Sequence, residues 1–192
     1  SLLPGRKIIP TIHPATWTQE KLRANPDAYL NRYLVTLDLK RVKIESAFPE
    51  ICESPRKLTI EPTYHEAINF IAMCMSHADN GGTIDYDIET TRAQELSCIG
   101  LAFGPTWAMC IPFVGPNGDY FLPEQEQSIM DMLATLMAKA HWKKRGQNVI
   151  FDSHFLLRKY GIRTHNLEDT MIAQGIIWPE MRKSLEFITS IW

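Results

Sequence analysis

The chain has 192 residues, of which 45% are hydrophobic and 22% are charged, and its formal net charge is −2. These values are typical of a soluble globular protein with one domain, or one domain and part of another, and they exclude a chain that is basic throughout. No apolar run approaches the roughly 20 residues that span a membrane, and the N-terminus lacks the apolar stretch of a signal peptide. The four cysteines lack metal-ligand spacing, so we interpret them as reduced thiols of a cytoplasmic protein.

The first 50 residues predict a segment that is separate from the rest. Residues 6–16 predict a short strand that ends in a His-Pro loop, and residues 26–48 predict a helix with a proline in its first turn. Prolines interrupt the sequence near residues 48–56, where we place a domain boundary. The predicted domains are residues 1–50 and 56–192.

The remaining chain predicts strands that alternate with helices. From residue 83 the order is three strands, a helix, a strand and a helix, which indicates an α/β fold with a mixed β-sheet flanked by helices. Gly161 is well placed to end a helix, because glycine readily adopts the left-handed conformation. The predicted strands are 56–61, 83–90, 96–103, 107–114 and 145–150, and the predicted helices are 62–78, 123–142, 151–160, 168–178 and 183–192.

The strand predicted at residues 83–90 carries the first candidate site. Alternate side chains of a strand share one face, so Asp87 and Glu89 project together, and Asp85 has the same parity. Two like charges side by side are costly unless a cation compensates them, and carboxylate oxygens favour Mg²⁺ or Mn²⁺. Alternatively, these acids simply face water at the end of a strand.

A second pattern brings a third carboxylate to the same sheet. The strand predicted at residues 145–150 delivers Asn148, and Asp152 follows four residues later at the start of a helix. A negative group is favourable in the first helical turn, where the helix dipole is positive. Alternatively, Asp152 is only a helix N-cap.

Charge is distributed unevenly around these two patterns. Residues 141–165 hold six basic residues and one acid, whereas residues 79–95 hold five acids and one arginine. A basic flank beside an acidic centre suits a metal site that receives a polyanion, although both can also be ordinary solvated faces. Four of these basic residues, Lys143, Lys144, Arg145 and Arg158, are candidates for contacts to such a polyanion.

The two patterns together resemble the motifs of the DEDD superfamily of 3′–5′ exonucleases. The Asp-Ile-Glu-Thr sequence at residues 87–90 resembles the first motif, and the Asn-x-x-Phe-Asp sequence at residues 148–152 resembles the second. A Glu-Asp-Thr-Met sequence follows at residues 168–171. The wider text, over roughly residues 57–192, is similar to the proofreading domain of family-A DNA polymerases.

This resemblance implies a ribonuclease-H-like fold and a site for two divalent cations, Mg²⁺ or Mn²⁺. It implies hydrolysis of the terminal phosphodiester at a single-stranded DNA 3′ end, with release of nucleoside 5′-monophosphates. The implied catalytic residues and metal ligands are Asp87, Glu89 and Asp152, and the implied substrate-binding residues are Thr90, Asn148 and Phe151.

One departure from the family pattern concerns its third motif, a Tyr or His four residues before a fourth Asp. His165 and Asp169 have this spacing, but Asp169 aligns with the Asp-Thr-Met segment instead. The resemblance therefore implies a C-terminally truncated exonuclease domain. Two alternatives stay open: a catalytically inactive module of a replication protein that binds nucleic acid or a partner, and an RNA-processing DEDD exonuclease. Metal-dependent cleavage, and a comparison of RNA with DNA, would discriminate between them.

The two ends of the chain suggest partners. The sequence around His13, Asn25 and Asp38 resembles the C-terminal end of uracil-DNA glycosylase-like domains, and fusions of that kind suggest a phage source. The similarity to family-A proofreading domains implies a polymerase domain in the same parent protein, and the lack of a long apolar run predicts no membrane partner. Apolar residues near the C-terminal end, Trp178 and Trp192 among them, predict a dimer through that end.

Overall fold

The computed structural model describes residues 7–13, 30–48, 50 and 55–191. The chain divides into two compact units, one of which is Ser54–Ala173. The other unit combines Ser1–Glu53 with Gln174–Trp192. The predicted domain division stays a prediction. Among the helices in the described ranges, none is long and apolar enough to cross a membrane.

The unit Ser54–Ala173 is built on β-strands that form one large sheet and a small hairpin. The strands are β1 Lys57–Thr59, β2 Thr83–Thr90, β3 Leu96–Ala102, β4 Trp107–Pro112, β5 Val114–Gly115, β6 Gly118–Asp119, β7 Lys143–Gly146 and β8 Leu167–Asp169. The six-stranded sheet has the order β1-β4-β3-β2-β7-β8. Strand β3 runs antiparallel to both of its neighbours, whereas the pairs β1–β4, β2–β7 and β7–β8 are parallel. A separate two-stranded hairpin, β5–β6, follows β4.

The helices connect these strands and supply much of the core. A capping box starts the second helix, because the Thr63 hydroxyl accepts from the Glu66 backbone N–H and the Glu66 carboxylate accepts from the Thr63 backbone N–H. The buried core draws on the sheet and on helices α2, α3 and α4, with residues such as Phe70, Ile99 and Leu133 almost completely shielded from water. The helices are α1 Leu30–Glu45, α2 Tyr64–Asp79, α3 Pro123–Ala138, α4 Val149–Tyr160, α5 Thr170–Ile177 and α6 Leu185–Ile191.

This mixed sheet flanked by helices confirms the predicted α/β, ribonuclease-H-like fold class. The predicted helix end at Gly161 is also confirmed, since Gly161 has a φ of 68° and its N–H reaches the carbonyls of Leu156 and Leu157.

Several predicted elements differ from the structure. No strand forms in residues 7–13, where Pro10 has no N–H for a ladder and no neighbouring strand pairs with the segment. Helix α3 stops at Ala138, four residues before the predicted end at 142, and the chain turns so that the Trp142 indole donates to Asp79 at 2.9 Å. The strand predicted at 145–150 lies earlier, at Lys143–Gly146.

The last of these corrections matters most for the site. Asn148 has a φ of 57°, in the left-handed region, which ends any extended conformation, and helix α4 begins at Val149 rather than at 151. Asn148 is therefore a helix N-cap and not a strand residue.

In the other unit, α1 contacts residues from the C-terminal part of the chain. The Arg41 guanidinium donates to the Ser190 carbonyl at 2.9 Å, and the rings of Tyr33 and Trp178 meet edge to face at 5.9 Å. His13 is exposed, while the rest of the predicted His-Pro loop, Asn25 and Trp192 lie outside the described residues.

Candidate active site

The carboxylates of the first pattern lie on one face of β2. Asp87 and Glu89 are exposed, while Ile84, Tyr86 and Ile88 between and before them are buried, as expected for a strand with alternating faces. The register between β2 and β3 shifts at Glu89/Thr90, which marks a β-bulge. The extra residue, Ser97, lies on β3, opposite the end of the acidic pattern on β2.

Asp152 comes to the same strand from α4. Its carboxylate Oδ1 accepts a hydrogen bond from the backbone N–H of Ile88 at 3.0 Å, and only 3% of Asp152 is exposed. Ile88 lies between Asp87 and Glu89 in the chain, so the third carboxylate meets β2 in the middle of the acidic pattern. Asp152 is the fourth residue of α4, so the alternative that it serves only as the helix N-cap is wrong.

The electrostatics of this cluster are unfavourable without a cation. The pKa of Asp152 is raised to about 6, mainly because the carboxyl is buried; the hydrogen bond from Ile88 opposes the rise and the charge of Asp87 adds to it. Partial burial raises the pKa of Asp87, and the neighbouring Glu89 carboxylate adds to the effect. Carboxylates that repel one another in this way are suited to binding a positively charged ligand.

The three carboxylates fit a hard divalent cation by their chemistry, but they are not drawn together around one point. Within the described ranges, no group of three His, Cys, Asp or Glu side chains is close enough to hold a metal ion. Asp152 is buried and bonded to the backbone at Ile88, whereas Asp87 and Glu89 are exposed. The predicted set of metal ligands therefore stays a prediction.

The predicted substrate-binding residues surround this cluster. Asn148 is exposed, and as the N-cap of α4 it makes no side-chain capping bond. Phe151 is 53% exposed and stacks against Phe155 with ring centroids 6.4 Å apart. Thr90 is half-buried at the end of β2. Their contact with a nucleotide stays a prediction.

Three of the four basic residues predicted to contact a nucleic acid bind other groups of the protein. Arg145 forms a bidentate ion pair with Asp85, at 2.6 and 3.1 Å, which also keeps Asp85 out of the carboxylate cluster. Lys143 pairs with Glu168 at 3.5 Å. The prediction that Lys144 contacts a phosphate backbone was wrong, because Lys144 is fully buried and donates to the Lys139 carbonyl at 2.7 Å.

Arg158 is the remaining member of that group and is exposed on α4. It lies seven residues after Phe151, so the two side chains are on neighbouring parts of the same helix surface. Its contact with a nucleic-acid backbone stays a prediction.

Sequence reasoning missed the part that Asp169 plays. Its carboxylate accepts hydrogen bonds from the backbone N–H groups of Asn148 at 3.0 Å and Val149 at 3.1 Å, at the start of α4. An Asp followed by Thr before a helix is a recognisable N-cap signal for α5, but nothing in the local sequence shows that it also reaches α4.

The sequence comparison defines the class of protein. The sequence profile of the 3′–5′ exonuclease family matches residues 63–191. The chain belongs to this family, and the predicted exonuclease class is confirmed. No curated protein matches the chain.

The solved structures similar to this chain include other exonucleases. The EXD2 exonuclease domain soaked in Mg and dGMP is 19% identical, with a TM-score of 0.44, and the match covers 61% of this chain and 57% of that one. The same domain soaked in Mn and dGMP is 17% identical, with a TM-score of 0.45 and coverage of 63% and 60%. Trypanosoma brucei RNase D is 14% identical, with a TM-score of 0.47 and coverage of 63% and 40%. The chain thus spans less than two-thirds of each of these chains.

Proposed function

We propose that the chain is the proofreading 3′–5′ exonuclease domain of a DNA polymerase, and that it removes nucleotides from a single-stranded DNA 3′ end. One observation carries this proposal: the buried Asp152 carboxyl meets β2 at Ile88, between the exposed acids Asp87 and Glu89. Three carboxylates near one stretch of β2, with raised pKa values for Asp87 and Asp152, are an unfavourable arrangement unless a cationic ligand compensates their charge.

Asp87, Glu89 and Asp152 would hold the divalent cations, Mg²⁺ or Mn²⁺. The exposed pair presents oxygens to solvent, and Asp152 has one oxygen left because Oδ1 already accepts from Ile88. When bound, two such cations supply a water-derived nucleophile and stabilise the charge of the leaving 3′-oxygen. The protein's own contribution is to fix the carboxylates on a rigid strand and the adjoining helix.

The residues next to these carboxylates would hold the 3′ end of the DNA. The exposed ring of Phe151 offers a stacking surface for a base, next in sequence to the buried Asp152. The Asn148 amide makes no capping bond and is exposed, so it is available to a sugar or phosphate group, and Thr90 offers a hydroxyl at the end of β2. Such contacts need an unpaired 3′ end, because a base within a duplex is stacked on its neighbours.

The choice of DNA and of a polymerase context rests on the resemblance of the motifs at residues 87–90, 148–152 and 168–171 to family-A proofreading domains. We further propose that a polymerase domain belongs to the same parent protein and that the parent is of phage origin. A cytoplasmic location is supported by the free thiols of Cys74, Cys98 and Cys110.

A second candidate function is binding of a strand without cleavage. The observation that favours it is that, in the described ranges, no three potential metal ligands converge on one point. In that case Phe151 and Asn148 would hold the strand while the carboxylates would lack the cations needed for hydrolysis.

A substrate comparison tests the proposal. The chain is incubated with 5′-labelled single-stranded DNA, single-stranded RNA of the same sequence, and DNA whose 3′ end is blocked, each with Mg²⁺ or Mn²⁺ and with EDTA as the control. The proposal predicts a ladder that shortens from the 3′ end of DNA and needs both the cation and a free 3′ end. Faster cleavage of RNA would favour an RNA-processing exonuclease, and binding without cleavage would favour the second candidate.

A further inference from the structure

The carboxylate of Asp169 is unusual in the number of backbone groups that it satisfies. It lies at the end of β8, next to the first residue of α5. Its Oδ1 accepts from Asn148 at 3.0 Å, Met171 at 2.8 Å and Ile172 at 3.4 Å, and its Oδ2 accepts from Val149 at 3.1 Å. A single side chain thus caps the N-termini of two helices, α4 and α5.

The contact to α4 is the one that no local sequence signal explains. The bonds to Asn148 and Val149 span 21 and 20 residues of chain. The first N–H groups of a helix have no intrahelical partner, and α4 has no capping bond from its own N-cap side chain. Asp169 supplies the missing acceptor from a neighbouring strand.

The backbone conformation of Asn148, at the start of α4, is also unfavourable. Asn148 has a φ of 57°, which non-glycine residues adopt at a cost that the surrounding structure must offset. The hydrogen bond from the Asn148 N–H to Asp169 stabilises this conformation directly. Without it, Asn148 is free to relax toward a conformation that does not start α4 at the same point.

The rest of the corner is tightly confined. A Cβ added to Gly146 would lie 2.7 Å from the Tyr86 carbonyl oxygen, so this position requires glycine. The Thr170 hydroxyl donates to the Gly146 carbonyl at 3.0 Å and is hydrogen-bonded to the Gln147 side chain. We term residues 146–149 the α4 corner. Asp169 holds its last two residues and Thr170 holds its first two.

We infer that Asp169 is a positioning residue, which fixes the α4 corner and thereby sets the place of Asn148 and of Asp152 relative to β2. Asp152 lies one helical turn beyond Asn148, so any shift in the start of α4 moves its carboxylate away from the Ile88 N–H. The catalytic consequence rests on the proposed function, whereas the structural link between Asp169 and the corner does not. Misplacement of a catalytic group by about 1 Å costs on the order of 10²-fold in rate.

The test compares Asp169→Ala and Asp169→Asn with a matched control, Glu66→Ala. Glu66 is also a carboxylate that caps a helix, since it accepts from the Thr63 N–H at 2.8 Å, but α2 carries none of the predicted site residues. Asp169→Asn keeps one acceptor oxygen and places an amide against the other N–H groups, so it is the milder variant and remains informative if Asp169→Ala does not fold. In the full chain we would measure amide hydrogen exchange of residues 147–152, and kcat and KM on single-stranded DNA.

We expect Asp169→Ala to speed exchange of the Asn148 and Val149 amides by about 10-fold or more. We expect it to lower kcat by about 10²-fold. The effects of Asp169→Asn should lie between those of Asp169→Ala and the wild type. Glu66→Ala should change neither amide exchange at residues 147–152 nor kcat.

Equal effects of Asp169→Ala and Glu66→Ala on kcat would overturn the inference, as would unchanged exchange at the α4 corner. If the wild-type chain cuts no DNA, the proposed function fails, and the exchange comparison alone then decides whether Asp169 holds the corner.

Discussion

The surroundings of Asp152 and of Asp169 differ, although both carboxylates contact the backbone near α4. Asp169 accepts four backbone hydrogen bonds, whereas Asp152 accepts one from another segment of the chain and is buried beside the charge of Asp87. The charge of Asp169 is compensated by its hydrogen bonds within the fold. The charge of Asp152 is left uncompensated, and its pKa is raised to about 6. The difference separates a carboxylate whose charge the fold satisfies from one that we propose to bind a cation.

The largest effect that follows from this comparison is on cleavage by an Asp152→Asn variant. The substitution keeps the shape of the side chain and removes the charge that a cation would meet. We expect cleavage of single-stranded DNA to fall at least about 10³-fold, because groups that act together on one reaction lose most of the rate when one is removed. Initial rates of 3′ shortening measure this, and a rate within about 10-fold of the wild type would contradict it.

The same variant should be more stable than the wild type when no divalent cation is present. The folded-state pKa of Asp152, about 6, exceeds the ordinary value of 3.8, so the folded chain binds more protons than the unfolded chain between these values. Stability therefore falls as the pH rises from about 4 to about 6, by up to about 3 kcal/mol from this group, and stays low above that window.

Urea unfolding in EDTA at a series of pH values measures this difference. The free energy of unfolding of Asp152→Asn minus that of the wild type should grow across the window and then level off. Mg²⁺ should restore the stability of the wild type at pH 7.5 more than that of the variant, because a ligand stabilises the state that binds it. A difference that does not change with pH would show that Asp152 is compensated after all.

Lys144 is a second uncompensated charge, and it lies outside the carboxylate cluster. Burial lowers its pKa from 10.5 to about 8, so folding favours the neutral amine and stability is lost as the pH falls from about 10 to 8. Lys144→Met should raise the free energy of unfolding at pH 7 by about 2 kcal/mol, after the lost hydrogen bond to Lys139 is deducted. Thermal or urea unfolding measures this gain, and cleavage should not change; a loss of stability would contradict the prediction.

The smallest effect should come from Asp85, whose charge is compensated by Arg145 near the surface. Asp85→Asn should change the free energy of unfolding by less than about 1 kcal/mol, because exposed ion pairs contribute little. Cleavage should stay within about 3-fold of the wild type, since Asp85 is committed to Arg145. A large loss of activity in this variant would place Asp85 in the catalytic cluster.

The sequence predicted those parts of the fold whose signals are local. Strand β2 was expected at residues 83–90 and is Thr83–Thr90, because its alternation of apolar and acidic residues is complete within eight residues. Helix α2 was expected from residue 62 and starts at Tyr64, because its capping box lies within its own first turn.

The parts that were missed depend on residues distant in sequence. The start of α4 was placed two residues late, because its capping carboxylate is Asp169, 20 residues further on. The bounds of β7 were wrong for the same reason, and with the bounds unknown the sequence could not show that Lys144 points inward while Arg145 points to solvent. Asp87, Glu89 and Asp152 lie near one stretch of β2, while their role as site residues and the metal that they would bind stay predictions.

Two aspartates of β2 form a matched pair that tests the proposed active site directly. Asp85 and Asp87 lie two residues apart on β2 and have the same parity, but Asp85 is paired with Arg145, whereas the carboxylate of Asp87 is repelled by Glu89. We would follow 5′-labelled single-stranded DNA with Mg²⁺ or Mn²⁺ in the wild type, Asp85→Asn and Asp87→Asn. We expect a ladder from the 3′ end in the first two proteins and none in Asp87→Asn. Equal cleavage by all three proteins would contradict the assignment of the active site to this face of β2.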